Sequence, residues 1–589
     1  MEAIVCRRVV ALFSLVLLGA CGGGGGGSVP APAPNASVPP APGPAPAPSP
    51  APAPAPVPSP APSPAPAPAP PPPAGSVVID IDATANVHAI SPLVYGVCAF
   101  GNVAATLAAL NAPINRHGGN ATSQYNWQQN ASNRAQDWYF ESLDEGSPNA
   151  GQSVIDLVTA NRQSNAQSMV TIPMVGWVAK LGPNRGKLAS YSIAKYGAQQ
   201  DADWQWFADA GNGVRANGSE ITTNDPNDAD VPSDAAFQRG FVQLLTSRFG
   251  TAANLGVRYY VMDNEWSIWH STHRNVHAQG AGLDEVYAKF VAHAAMVKSV
   301  DPQAQVVGPE EWGWTGYLLS GKDMQAGNWS NPADKAAHGG MDAMPWLLKQ
   351  LKAYEAANGQ RLLDVFSLHY YPQGGEYSDD TSTAMQLRRN RSTRSLWDVN
   401  YVDETWIADK VQLVPRMKSW VQQWYPGTKI AITEYSWGAD GHISGAIAQA
   451  DALGILGREG VDIANRWTAP DSATPTFKAM QMYRNYDGAK SAFGETSVAA
   501  ATPDPDTLSA FAATRGSDGA LTVMVINKAL ANTATVSLQL RHYGSGSGTA
   551  QRWQLTKSNS ITKLGAVSYG ASHLDDTVPA QSVTLYVVK

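Results

Sequence analysis

A single pattern recurs seven times between residues 111 and 472: a short apolar run, a polar or glycine-rich turn, then a stretch of helical character. The runs fall at residues 113–116, 168–174, 257–262, 306–308, 365–369, 429–433 and 461–465. Apolar strands that alternate with helices belong to a parallel sheet covered on both faces, because each crossover helix packs back onto the strands. An eighth strand at residues 93–101 brings the count to that of a closed barrel. The predicted fold class is therefore α/β, a (β/α)8 TIM-like barrel over residues 91–490.

From about residue 491 the period changes to two. Residues 521–526, 534–540 and 582–588 alternate apolar with polar positions between Gly, Asn and Ser turns, the pattern of antiparallel strands in a small sandwich. Residues 76–82 alternate in the same way ahead of the barrel. The N-terminal strand is thus expected to pair with the C-terminal ones, residues 76–90 and 491–589 forming one all-β domain.

Composition matters most before that. Arg7 and Arg8 precede an apolar run at residues 9–18, too short for a stable membrane span of about 20 residues. Leu18-Gly19-Ala20-Cys21 follows the order of a lipobox, so residues 1–21 read as a lipoprotein-type signal peptide with Cys21 as the acylation site. Six glycines come next, and 23 of the chain's 42 prolines fall within residues 29–74. No core can form there; residues 22–75 read as a tether whose Ala-Pro part, at about 3.1 Å per residue in polyproline II, reaches ~140 Å. The expectation is an exported monomer, an outer-membrane or cell-surface lipoprotein or otherwise a secreted protein, meeting a membrane only through lipid at Cys21. Cys98 is the one thiol of the globular part, which excludes an internal disulfide, and its apolar setting reads as structural. A net charge of -7 gives nucleic-acid binding no electrostatic footing.

The strongest chemical signal lies where two strands stop. Residues 257–262 run into Asp263, Asn264 and Glu265, with Trp266 and Trp269 following, and residues 429–433 run into Glu434, with Tyr435 and Trp437 beside it. In a parallel barrel the carboxyl ends of strands converge on one mouth. Two carboxylates there meet the needs of glycoside cleavage: one protonates the leaving oxygen while the other attacks the anomeric carbon. The flanking rings are expected to stack on sugars and to dry the site, raising the pKa of the acid. One such Glu alone is better explained as a cap or a surface carboxylate; two in matching contexts point to a hydrolase. Other chemistries lack their motifs. His270, His273, His277 and His293 show no HExxH zinc spacing and read as surface residues, and no Gly-x-Ser-x-Gly elbow follows a strand.

Several longer motifs carry a resemblance: Arg116-His117-Gly118-Gly119-Asn120, Tyr125-Asn126-Trp127, Asp137-Trp138-Tyr139-Phe140-Glu141, Asn224-Asp225-Pro226-Asn227-Asp228, Met262-Asp263-Asn264-Glu265, Pro309-Glu310-Glu311-Trp312-Gly313-Trp314, His369-Tyr370-Tyr371 and Thr433-Glu434-Tyr435. Over residues 77–589 the chain resembles glycoside hydrolase family 44. The resemblance implies a (β/α)8 barrel plus a β-sandwich, and cleavage of β-1,4-glucan backbones such as carboxymethyl cellulose and xyloglucan with retention. It makes Glu265 the acid/base and Glu434 the nucleophile, with Trp266 standing where many retaining barrels carry a proline. Asn264 is then expected to bond the sugar 2-OH, Arg116 to hold Glu434 ionised, and Tyr370 to orient it.

An internally cleaved polymer needs an open groove with sugar platforms. Trp397, Trp406 and Trp467 are the candidates, whereas Trp204 and Trp346 read as helical core residues. Asp225, Asp228 and Asp230 crowd one loop, and the resemblance brings Glu141 toward them. No cofactor is expected for the chemistry; an all-oxygen cluster would suit calcium in a structural role, and a solvated acidic turn is the alternative. Two other readings stay open: an endo-xylanase or mannanase of the same mechanism, and a non-catalytic glycan-binding surface lipoprotein.

Overall fold

The computed structural model describes residues 75–544 and 546–589. The expected signal segment, Cys21 and the Ala-Pro tract lie outside the described residues. The first strand, β1 (Val77–Asp82), belongs to the β-domain. Eight parallel strands then close a barrel in chain order: β2 (Gly96–Val97), β3 (Ile114–His117), β4 (Gln167–Ile172), β5 (Tyr259–Met262), β6 (Gln305–Glu311), β7 (Val365–Tyr370), β8 (Lys429–Tyr435) and β9 (Ile463–Arg466). Closure is made by β9 against the two-residue β2, with Asn465 opposite Gly96. Each of the eight runs picked out in the sequence holds one of these strands.

Ile114, Met169, Tyr259, Val261, Val307, Val365, Ala431 and Ile463 fill the barrel interior, so it is a packed core and not a pore. A larger apolar layer lies between the strands and their helices. Crossover helices follow the local rules. In Ala235–Phe249, for example, the Asp234 side chain caps the start by accepting from the Phe237 N–H, and Gly250 stops the end. Two long insertions leave strand carboxyl ends, residues 173–234 after β4 and 371–412 after β7, and both rise on the mouth side.

The β-domain is one hydrogen-bonded path of β10 (Thr496–Ala501), β11 (Leu508–Thr514), β12 (Leu521–Asn527), β13 (Ala534–Arg541), β14 (Gly548–Leu555), β15 (Ile561–Tyr569), β16 (His573–Val578) and β17 (Ser582–Val588), joined by β1. Its order is β15-β14-β17-β12-β11-β10-β1-β13-β16. As expected, β1 pairs with C-terminal strands, antiparallel to β10 and parallel to β13. The path curls over its own apolar core, and its two limbs meet where Arg552 on β14 grips Asp576 on β16 at 2.7 and 2.8 Å.

The helix Ile443–Arg458 is buried from Ile443 through Gly457, on every side. An all-round apolar helix needs cover all round; the helix Pro475–Arg484 and β10, β11, β12 and β17 supply it. Phe511 of β11 comes so close that a Cβ on Gly454 would lie 2.2 Å from its ring. The same helix carries Asp451, buried with Lys528 of the β-domain at 2.7 Å. Asp451 also accepts from Thr393 at 2.7 Å and Ser509 at 2.5 Å.

Candidate active site

The site forms where the ends of β3, β5, β6, β7 and β8 converge. Past Met262 the backbone turns left-handed at Asp263 (φ +61°) and Glu265 (φ +46°), a conformation that residues with a Cβ rarely adopt. Buried Asp263 holds the turn. Its carboxylate accepts from the Asn264 N–H at 2.7 Å, from the Ser123 hydroxyl and from the Met174 N–H. The Glu265 N–H donates to the Glu310 carbonyl at 2.9 Å, which fixes Glu265 beside the end of β6. Between β7 and β8 the register slips after Leu368, so that His369 stands opposite Glu434. Such a bulge re-aims a strand end. One oxygen of Glu265, one of Glu434 and a ring nitrogen of His369 all lie within 4.8 Å of one another.

Arg116, fully buried at the end of β3, holds this centre together. Nη1 donates to Glu434 Oε1 at 2.5 Å, and Nη2 to Asn264 Oδ1 at 2.9 Å and to Glu310 Oε2 at 2.8 Å. Gly118 makes room for it, since a Cβ there would lie 2.3 Å from the guanidinium carbon. The Tyr371 hydroxyl donates to the other oxygen of Glu434 at 2.9 Å. His369 sets Nδ1 2.8 Å from Glu265 Oε1 and Nε2 3.1 Å from Glu310 Oε2. Burial alone would push this imidazole down; the charge of Glu434 and the contacts to Glu265 and Glu310 outweigh it and lift the ring to about 10. Glu310 runs the other way: burial would raise it, but Arg116 and His369 hold it at about 2. Burial raises Glu265 in spite of His369. A carboxyl group raised by burial therefore faces a second carboxylate held by Arg116 and Tyr371, the arrangement that glycoside cleavage by two carboxylates requires.

The profile of glycoside hydrolase family 44 matches residues 131–374. Endoglucanase A of Paenibacillus lautus is 34% identical over 532 residues, which cover 84% of this chain and 69% of that protein. This chain belongs to glycoside hydrolase family 44. A β-mannanase/endoglucanase A of Caldicellulosiruptor saccharolyticus is 32% identical over 486 residues, 77% of this chain and 34% of that one. Among solved structures, a bifunctional glucanase-xylanase from a metagenome library is 59% identical with a TM-score of 0.86, covering 87% of this chain and 99% of its own. A family 44 xyloglucanase of Paenibacillus polymyxa is 28% identical with a TM-score of 0.72, covering 88% and 100%. The protein is a glycoside hydrolase with the barrel and β-domain of family 44, and such enzymes generally need no cofactor for their chemistry.

The structure brings Glu265, Glu434, Asn264 and Arg116 together, as the sequence led one to expect. It corrects some of the other assignments. Tyr370 does not orient Glu434: its ring points into the strand–helix layer and lies 5.8 Å from that of Trp437, and Tyr371 makes the contact instead. Trp266, Trp269, Tyr435 and Trp437 are at most 1% exposed and pack the core, so they offer no sugar a face. Trp397 is half-buried under the Arg458 guanidinium, 4.3 Å from its ring, and is not a platform. Trp406 is 56% exposed and flanks a groove of about 510 Å³ with Trp314 and Trp329. Trp467 is half-buried, with Phe100 edge-on at 5.6 Å and its ring against Gly119. Trp346 is core, whereas Trp204 lies in a turn, 77% exposed.

Glu141, Asp225 and Asp228 do not form one cluster. Asp228 is paired with Lys195 at 2.5 Å and bonded by Tyr196, and Asp225 accepts from the Asn227 N–H at 2.9 Å to open a turn. Buried Glu141 faces Asp203 instead; no donor reaches either of its oxygens, and burial, then Asp203, raise it to about 8. Of the histidines read as surface residues, His273 and His293 are buried, and His277 pairs with Glu285 at 2.7 Å. Cys98 is buried and free, its thiol pushed up to about 12 by burial, which removes it as a nucleophile. Glu310, His369 and Tyr371 contact the Glu265–Glu434 centre, and strand-end reasoning did not single them out.

Proposed function

We propose that this family 44 enzyme is a retaining endo-β-1,4-glucanase acting on soluble β-glucans such as carboxymethyl cellulose and xyloglucan. Glu434 attacks the anomeric carbon as the bond to the departing chain breaks and its oxygen takes the proton of Glu265. Glu265 then removes a proton from water, whose oxygen displaces Glu434 from the glycosyl ester. The observation that carries this reading is the approach of Glu265 and Glu434 to within 4.8 Å. Retaining pairs stand about 5–5.5 Å apart and inverting pairs about 6.5–9.5 Å. Asn264 keeps one amide hydrogen beyond its bond to Asn120 and is assigned to the sugar 2-OH; Trp406 and Trp467 are assigned as sugar platforms.

The test is reducing-end release from both polymers with NMR of the first product anomers. Glu265→Gln and Glu434→Gln should each lose about 10²-fold or more while keeping the wild-type melting temperature. First products of inverted configuration would overturn the mechanism. Xylan is a second substrate to assay, because the 59% identical relative is described as a bifunctional glucanase-xylanase.

Two further features belong to this reading. The lipobox and Ala-Pro tract support a cell-surface enzyme tethered by lipid on Cys21; absence of lipid label from the wild-type protein would refute that. Glu141, with both oxygens buried and unmatched beside Asp203, fits a hard cation such as calcium in a structural role. A chelator should then lower the melting temperature without altering the acid and base, and an unchanged melting curve would remove the ion.

A further inference from the structure

Glu310 is a third carboxylate at the centre, fully buried, and the two-step reaction gives it no task. All of its bonding capacity is used. Oε1 accepts from the Ser367 hydroxyl and from Thr433 Oγ1 at 2.9 Å; Oε2 meets Arg116 Nη2 at 2.8 Å and His369 Nε2 at 3.1 Å. Arg116 and His369 are also the two side chains whose other ends hold Glu434 and Glu265. One carboxylate thus anchors the far side of both supports of the reacting pair.

We propose that Glu310 is a positioning residue whose charge keeps both ring nitrogens of His369 protonated, so that Nδ1–H fastens Glu265 Oε1 and leaves Oε2 to carry the acid proton toward the cleft. The inference rests on Glu265 being the acid of the proposed function. Its geometric basis is that both imidazole nitrogens face carboxylate oxygens, and an ionised carboxylate only accepts. The charged groups around the ring come from every side of the mouth: Arg116 Nη2 from β3 at 3.5 Å, Glu265 after β5, Glu310 on β6 and Glu434 Oε2 from β8 at 3.6 Å from Nδ1. From the helix Trp314–Leu318 after β6, the Tyr317 hydroxyl donates to the His369 carbonyl.

Charge balance supports the assignment. Before reaction, Arg116 and His369 carry two positive charges against Glu310 and Glu434, with Glu265 neutral. In the glycosyl-enzyme Glu434 is an ester and Glu265 an anion, and the sum is again zero. The charges of these five groups therefore cancel at both stages, which spares their burial the cost of an uncompensated charge. Without Glu310 the ring has reason to shed a proton; a bare Nδ1 would then draw the Glu265 hydrogen toward itself and away from the glycosidic oxygen.

The experiment follows the ¹⁵N signals of His369 in the full chain, assigned with His369→Gln, together with pH–rate profiles of wild type, Glu310→Gln and Thr433→Val. In wild type His369 stays doubly protonated through pH 8. In Glu310→Gln it loses a proton at lower pH than in the wild type, kcat falls at least about 10-fold with KM near wild type, and the optimum moves to lower pH, where the ring regains its proton. Thr433→Val removes a hydrogen bond but no charge, and leaves the His369 signal unmoved. A neutral His369 in the wild type at pH 7 overturns the proposal even if Glu310→Gln does not fold. So does a Glu310→Gln enzyme with a wild-type spectrum, or a Thr433→Val enzyme whose His369 titrates. If the wild type cleaves no β-1,4-glycan, the proposed function fails, while the spectrum still reads the state of the ring.

Discussion

Tyr370 and Tyr371 are adjacent in the chain and opposite in space. Successive strand residues face opposite sides, so His369 and Tyr371 share the mouth while Tyr370 enters the layer behind the strand. Hydrogen bonds to charged groups contribute about 1.5–3 kcal/mol. Tyr371→Phe should therefore lower kcat by about 10–100-fold, and Tyr370→Phe should leave kcat within a few-fold of wild type; steady-state kinetics on one glucan separates them. That parity was open to the sequence once His369 was placed at a strand end, and it would have picked Tyr371. Glu265 and Glu434 were legible because strand ends converge in any such barrel. Glu310 was not, since a glutamate after a proline looks the same whether a turn exposes it or Arg116 and His369 bury it. The tryptophans were illegible for a related reason: composition counts rings but does not say which side of a loop each one takes, and Trp204 and Trp397 fell opposite to expectation.

At the level of elements, eight strands were readable because each is an apolar run between turn signals, even β2, of which only two residues pair. What escaped was contact between distant elements. Gly454 sits in mid-helix, where glycine costs about 1 kcal/mol against alanine, so its presence needs a cause. The cause is Phe511, whose ring a Cβ would strike at 2.2 Å. Gly454→Ala should destabilise the protein by about 1–3 kcal/mol, visible as a lower denaturant midpoint, and a Phe511→Leu partner should restore part of the loss. Gly118 follows the same logic at the mouth. Gly118→Ala should displace Arg116 from its buried partners and lower both kcat and the melting temperature. A mutant with wild-type kcat would show that the guanidinium finds its place without the gap.

For the whole molecule, opposing titrations set a stability window. Glu310 is held near 2 by Arg116 and His369 against its burial, so its contribution is present above the ordinary carboxylate range and is lost as pH falls from about 4.5 toward 2. His369, lifted to about 10 by its carboxylate neighbours, contributes fully below about 6.5 and progressively less as pH rises to 10. Glu311, raised to about 8 chiefly by burial, also favours the folded chain less as pH climbs from about 4.5 to 8. Melting temperatures measured from pH 4 to 9 should peak in mildly acid solution, and a maximum above pH 8 would contradict these assignments. The join between barrel and β-domain offers a separate measure. Lys528→Met strands Asp451 without its cation, a loss of about 3–5 kcal/mol that chemical denaturation should record as one concerted transition. The helix that carries Asp451 has no face left for water, and part of its shelter is built from strands that the ribosome makes after it. Until β17 has been synthesised and docked, the barrel has an open wound on its flank, and a library that shuffles the β-domain as a cassette must exchange that helix with it.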